Sequence, residues 1–371
     1  MAVYTTIDDS SAHYQGLAYT GDSSSTTSSD RNLTNTGNSD LQPDWIWLFN
    51  RDTQLTGGQK IFDSTRGAGS GKSLSSSITN AEGYNDAAYG YVNSFNSDGF
   101  GVRAGTDTNR WFVDRGAGGG DKYVAFQWKA AGGTTTNQTG ANIDSVTQAN
   151  TTAGFSIVTY TGNGGTGQSV KHGLGTTPHM VMVKRRDGSG SWFVYHQALG
   201  NTKHLHLNTT DAEATTSDFG NYGPDATSFY VNNTGTCVNS ETYVAYCFAD
   251  KQGFSKFGKY TGNGNTDGAF IYTGFKPAFL LLKRTDTAGY HWRLYSSAQS
   301  PTNEVERRMT PNLAEAEGYH ATDMSLDFLS NGIKFRATNG HQINLSGGTY
   351  IYMAFAENPF VTSTGIPTTA R

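Results

Sequence analysis

Cysteine is nearly absent. Cys237 and Cys247 are the two thiols in 371 residues, too few for a disulfide framework. Cys247 lies in an apolar run, so a buried free thiol is expected there, with a Cys237–Cys247 bridge across a hairpin as the alternative. Charge is sparse as well. Lys, Arg, Asp and Glu make up 16% of the chain and the net charge is −4, which offers no attraction to nucleic acid or an anionic membrane. No stretch approaches the ~20 apolar residues of a membrane-spanning helix, so membrane insertion is not expected. The opening Met1-Ala2-Val3-Tyr4-Thr5-Thr6-Ile7-Asp8-Asp9 has neither a basic start nor an apolar core. It is not a secretory signal, and folding in a cytoplasm is expected. Enzyme signatures are missing too. There is no Gly-x-x-x-x-Gly-Lys-Ser/Thr loop, no Gly-x-Ser-x-Gly elbow and no His-Glu-x-x-His. No pair of carboxylates stands out, so no catalytic residue, metal or cofactor is expected.

What is present is glycine (46 residues), tyrosine and phenylalanine (20 each), with much Ser, Thr and Asn. That mixture suits short strands and tight turns, and suits helices badly. Three landmarks then recur in one order. The first is a Tyr-Thr-Gly turn at Tyr19-Thr20-Gly21, Tyr160-Thr161-Gly162 and Tyr260-Thr261-Gly262. The second is a proline followed by an apolar run with a polar tail, beginning at Pro43, Pro178 and Pro277. The third is a closing run: Tyr123-Val124-Ala125-Phe126-Gln127-Trp128, Tyr243-Val244-Ala245-Tyr246-Cys247-Phe248 and Tyr350-Ile351-Tyr352-Met353-Ala354-Phe355. A recurrence near 100 residues is too long for a solenoid unit, so it reads as whole domains in tandem.

The turn reads as a strand entering a tight hairpin. Proline cannot donate a ladder hydrogen bond and belongs at a strand start. The runs after it are nearly continuously apolar, so both faces should be covered. The expected fold is all-β, with three tandem repeats of a β-sandwich (jelly-roll or lectin-like) module. The expected boundaries are an N-terminal arm at 1–13, module 1 at 14–130, a Gly/Thr/Asn-rich linker at 131–153, module 2 at 154–249, a short linker at 250–253, module 3 at 254–358 and a tail at 359–371. The long linker is expected to be flexible or extended, and modules 2 and 3 to touch. Helix cues are weak; the best, Asn312–Glu317, matched by Thr210–Ala214 and Thr79–Glu82, reads as a single capped turn at a sandwich edge.

These passages resemble a family of tandem β-modules of marine bacteriophages, the tail-fibre or virion structural proteins. Three stretches carry the resemblance: Tyr4-Thr5-Thr6-Ile7-Asp8 before the first turn, Asn150 through Gly164, and His172-Gly173-Leu174-Gly175 to Pro178 with Val183-Lys184-Arg185-Arg186. It implies a virion component, other virion proteins as partners, no known catalytic residues, and a homo-oligomer, a trimer above all. A short N-terminal arm of β-prone residues could add a strand to a neighbour.

Shared features should be packing, and unshared loops should carry function. Trp192 and Trp292 occupy matching positions and read as core. Glu82, Glu213 and Glu315 recur beside the same turn and read as structural caps. Lys203-His204-Leu205-His206 places two histidines on one strand face, which reads as an exposed polar face and not as a metal site. Tyr89, Tyr91, Trp111 and Tyr222 lie in loops rich in Asn, Asp and Gly. Aromatic rings with polar neighbours suit stacking on sugars, so these four are the candidate glycan-binding residues, with loop packing or a subunit contact as the alternative. The expected function is therefore a tail fibre or tail-associated adhesin that binds host cell-surface glycan. A capsid decoration, knob or head-fibre protein is the alternative.

Overall fold

A computed structural model describes residues 4–22, 30–52, 55–107, 112–116, 120–319, 323–337 and 342–369. The chain is all-β, with helical residues confined to single turns such as Asp86–Tyr89. Three large antiparallel sheets follow one another along the sequence. The first runs in the order Tyr14–Thr20, Lys122–Trp128, Trp45–Asn50, Lys60–Asp63, Leu74–Ser75. The third runs Ser255–Thr261, Thr349–Pro359, Phe275–Arg284, Arg293–Ser296, Arg307–Met309, Gly318–Tyr319. The second has the same core order, Phe155–Thr161, Thr242–Phe248, Met180–Arg185, Trp192–His196, Lys203–His206, Ala214–Thr215.

Register repeats with the order. The turn tyrosine faces the closing tyrosine in each sheet: Tyr19 opposite Tyr123, Tyr160 opposite Tyr243, Tyr260 opposite Tyr350. Each pair stacks within 12° of parallel, at 5.0, 5.1 and 4.8 Å between centroids. The turn glycines lie hard against backbone. A Cβ on Gly21, Gly162 or Gly262 would come within 2.2–2.3 Å of the carbonyl oxygen of Arg115, Val238 or Leu345. Only glycine fits such an approach.

Strand side chains alternate between two cores, which is why the runs are continuously apolar. In the first sheet, Ile46, Leu48, Tyr123 and Ala125 face a small sheet of Asp30–Leu33, Phe100–Arg103 and Tyr91–Phe95. Trp45, Trp47, Phe49, Phe126 and Trp128 point the other way, into a cluster shared by all three large sheets. In the second, Val181, Val183, Ala245 and Cys247 face the pair Gln168–Lys171 and Ser228–Val231, while Met180, Met182, Tyr246 and Phe248 join the shared cluster. The third contributes Phe279 and Phe355. Its small sheet is Phe270–Tyr272, Gly332–Phe335 and Leu326–Leu329.

The seams close in a cycle. The N–H of Glu82 donates to the carbonyl of Arg186 at 2.9 Å, that of Glu213 to Thr285 at 2.9 Å, and that of Glu317 to Arg51 at 2.7 Å. Arg51, Arg186 and Thr285 each lie eight residues after their proline. The first sheet thus hooks the second, the second the third, and the third the first. Two seams carry ion pairs as well: Arg186 holds Glu82 at 3.0 and 3.1 Å, and Arg51 holds Glu317 at 2.8 and 2.9 Å. The indole of Trp192 donates to the Ser75 carbonyl at 2.8 Å, and that of Trp292 to His206 at 2.9 Å. Both tryptophans are buried.

Several expectations need correction. The segments at 79–82, 210–214 and 312–317 form no helical turn. They are the hooks, from which a backbone N–H crosses to the neighbouring sheet. The residue matching Glu82 and Glu213 is Glu317, because Asn208 and Asn312 occupy the same place, each accepting from the N–H of Trp192 or Trp292. Residues 131–153 are not a free linker. Thr136–Gln138 and Ser145–Asn150 extend the second sheet beyond Phe155–Thr161. The described part of the arm is not free either. Thr5 and Ile7 are buried, Thr5 Oγ1 donates to the Gln252 carbonyl at 2.8 Å, and Tyr4 Oη donates to the Gly274 carbonyl at 2.7 Å.

Candidate functional site

Among the described residues, the second sheet carries an added hairpin that the other two large sheets lack. In those sheets the opening strand is the edge; in the second, Ser145–Asn150 pairs with it and Thr136–Gln138 pairs in turn. The hairpin turns at Gly154, whose φ of +71° is a left-handed conformation that suits glycine. Asn150 fixes the turn by accepting from the N–H of Ala153 at 2.9 Å. The segment between the two added strands reaches over to the small sheet. Asn142 Oδ1 accepts from the N–H and Oγ of Ser169 at 3.1 and 2.7 Å, and the N–H of Ile143 donates to the Ser169 carbonyl at 3.1 Å.

This leaves an open groove of about 680 Å³, lined among others by Asn137, Asn142, Asp144, Thr161, Asn163 and Arg186. The side chains of Asn137, Asp144 and Thr161 make no hydrogen bond among the described residues, and all three are exposed. Arg186 is half-buried, with Nε and Nη2 on the carboxylate of Glu82. Burial by itself would raise the Glu82 carboxyl. The hydrogen bonds from Arg186 and the charge of Arg66 outweigh it and hold the group below its ordinary value. Asn163 at the rim is fixed by accepting from the N–H of Gly165 at 2.9 Å and donating to Gln168 Oε1 at 2.8 Å.

Gln168 leads from the groove to an aromatic step. Next to it, Gly167 lies under the ring of Tyr222, where a Cβ would sit 2.8 Å from the ring. Tyr222 is 56% exposed and packs on Tyr230 at 5.2 Å between centroids, tilted 47°. Tyr230 Oη donates to Asp225 Oδ2 at 3.1 Å. Partial burial works to raise the Asp225 carboxyl. Hydrogen bonds from Thr227, Ser228 and Tyr230 overcome it and lower the group to about 2, so Asp225 is ionised and fixed at neutral pH.

The other candidates lie elsewhere. Tyr89 and Tyr91 pack against the core of the first sheet, Tyr89 with its ring edge-on to Phe112 at 4.9 Å. Trp111 lies outside the described residues. Tyr89 and Tyr91 do not meet Tyr222, which sits on the second sheet's side. The two histidines are not an exposed face. His204 is buried, with Nδ1 3.1 Å from Asp218 Oδ2, and its ring lies 4.8 Å from that of His206. Among the described residues, no group of three His, Cys, Asp or Glu is placed to hold a metal. Cys237 and Cys247 are both buried and free. The groove residues Asn137, Asn142 and Asp144 escaped sequence reasoning because small polar composition reads as linker. The available signal was the strand-like stretch Ser145–Asn150 ahead of the Ala153-Gly154 turn.

No curated protein and no solved structure matches the chain significantly. Residues 9–359, which span all three large sheets, match the family described as Domain of unknown function (DUF7483), and the chain belongs to that family.

Proposed function

We propose that this chain is a non-enzymatic structural protein of a bacteriophage virion, a tail fibre or tail-associated adhesin that binds host cell-surface glycan. It would be assembled into the virion in the host cytoplasm, with other virion proteins as partners. The observation that carries the adhesive part is the groove of the second sheet, bordered by an added hairpin that the other two large sheets lack among the described residues. Three sheets with the same core order bury their inner faces in one cluster and make a stiff scaffold. An unshared insertion on such a scaffold is where loop-borne binding belongs. The virion assignment rests on the resemblance of the landmarks.

A second reading is a capsid decoration, knob or head-fibre protein. The closed cycle of seams favours it, since one chain already presents three like sheets around one core. A homotrimer would then be an assembly of rings that are each complete. Immunogold labelling of particles with an antibody to the chain separates the two. Label at the tail tip, with purified chain competing for adsorption to host cells, supports the adhesin. Label over the head supports decoration. Particles that carry no label would refute both.

A further inference from the structure

Resting on the glycan reading, we propose that the groove and Tyr222 form one continuous site for an extended, uncharged oligosaccharide. Polar groups in the groove would bind one part of the chain, and the tyrosine ring would stack on a sugar further along.

Continuity comes first. Asn163 lines the groove and is hydrogen-bonded to Gln168, and Gln168 adjoins the glycine beneath the Tyr222 ring. One strip of surface on the second sheet therefore holds both features. A groove of about 680 Å³ falls within the usual range of roughly 300–1,000 Å³ for ligand sites, and the aromatic step lies beyond its rim.

Chemistry comes second. A pyranose has hydroxyls around its edge and a patch of C–H groups on its face. The exposed amide of Asn137, the carboxylate of Asp144 and the hydroxyl of Thr161 offer both donors and acceptors to hydroxyls. The Tyr222 ring offers an apolar face to the C–H patch. That ring is already placed, with Gly167 below it and Tyr230 beside it, so stacking would order little more of the protein.

Charge selects the class. Arg186, the guanidinium lining the groove, is paired with Glu82, and Lys171, whose ammonium donates to the Thr139 carbonyl at 2.6 Å, does not line it. Asp144 has no cationic partner among the described residues. Uronates and other acidic sugars would meet an uncompensated carboxylate, whereas hexoses and N-acetylhexosamines would find a hydrogen-bond acceptor.

The test is calorimetric titration of the intact chain with neutral and acidic oligosaccharides graded from mono- to hexasaccharide. Binding should strengthen with length among the neutral sugars and be weaker for acidic ones of equal length. Tyr222→Ala should weaken the longest ligand by about tenfold, equivalent to ~1.4 kcal/mol, and leave the shortest unchanged. Tyr222→Phe should keep the full affinity. Asn137→Ala should weaken every length. Tyr222 and Asn137 are exposed, and unchanged melting temperatures would show that the variants fold. If a glycan binds but both variants bind it as tightly as the parent, the site lies elsewhere and the inference fails while the glycan reading stands. A preference for acidic sugars would overturn the charge argument. If no oligosaccharide binds, the glycan reading fails and takes this inference with it.

Discussion

Phe248→Ala tests whether the three sheets share one core in fact as well as in geometry. The Phe248 ring is fully buried and stands 4.9 Å from Phe155, 5.6 Å from Trp45, 6.5 Å from Trp128 and 6.1 Å from both Phe257 and Phe355. Those five rings come from all three sheets. Truncating a buried phenylalanine costs about 3–5 kcal/mol, and bulky rings around the gap cannot easily collapse into it, so the expected loss is about 4–5 kcal/mol. Differential scanning calorimetry reads the consequence. At about 2 cal/mol/K per residue, unfolding 371 residues as one unit carries an entropy near 0.8 kcal/mol/K, and the single transition should fall by about 5–6 °C. Independent units of about 100 residues would carry near 0.2 kcal/mol/K each, and one transition of several would fall by about 20 °C. That second pattern, or a loss below about 1 kcal/mol, would refute the shared core.

Three more outcomes are expected. The Glu82 carboxyl is held below its ordinary value in the folded state, so its contribution is present at neutral pH and lost as pH falls through its folded pKa; urea melts should show the deficit of Glu82→Gln shrinking from pH 7 toward pH 3. Burial, then the charges of Arg185 and Arg66, lower the Lys184 ammonium to about 7, so the unfolded chain holds more protons between pH 7 and 10 and stability through this group rises with pH there. Lys184→Met should flatten that rise in chemical-denaturation midpoints, and an unaltered slope would contradict the assignment. Gly162→Ala forces a Cβ to 2.3 Å from the Val238 oxygen and should cost about 1–3 kcal/mol by thermal melt, whereas a neutral result would show that the turn yields freely.

Much of the strand scaffold was legible in the chain. The Tyr-Thr-Gly turns, the prolines and the closing runs mark strands that sit side by side in each large sheet, because local rules govern them. Glycine marks a close backbone approach, and an unbroken apolar run marks burial on both faces. Less of the site was legible. Tyr222 stood out as an aromatic among Gly and Asn, and it is exposed. Tyr89 and Tyr91 had the same surroundings yet pack inward, since nothing local tells which ring a neighbouring strand will cover.

The sequence by itself determined the all-β class, the landmark strands and the alternation of their faces, because turn chemistry and side-chain period act over a few residues. Tertiary structure alone decided what those faces meet. Ser145–Asn150 looks like linker until the opening strand beside it supplies ladder partners, and the Ala-Glu segments look like helix starts until a neighbouring sheet offers a carbonyl. The groove arises the same way, from strands far apart in the chain and the pairing of Arg186 with Glu82 across a seam. Hydrogen bonds and apolar contacts between distant segments leave no periodic trace in sequence, so only the folded chain reveals them.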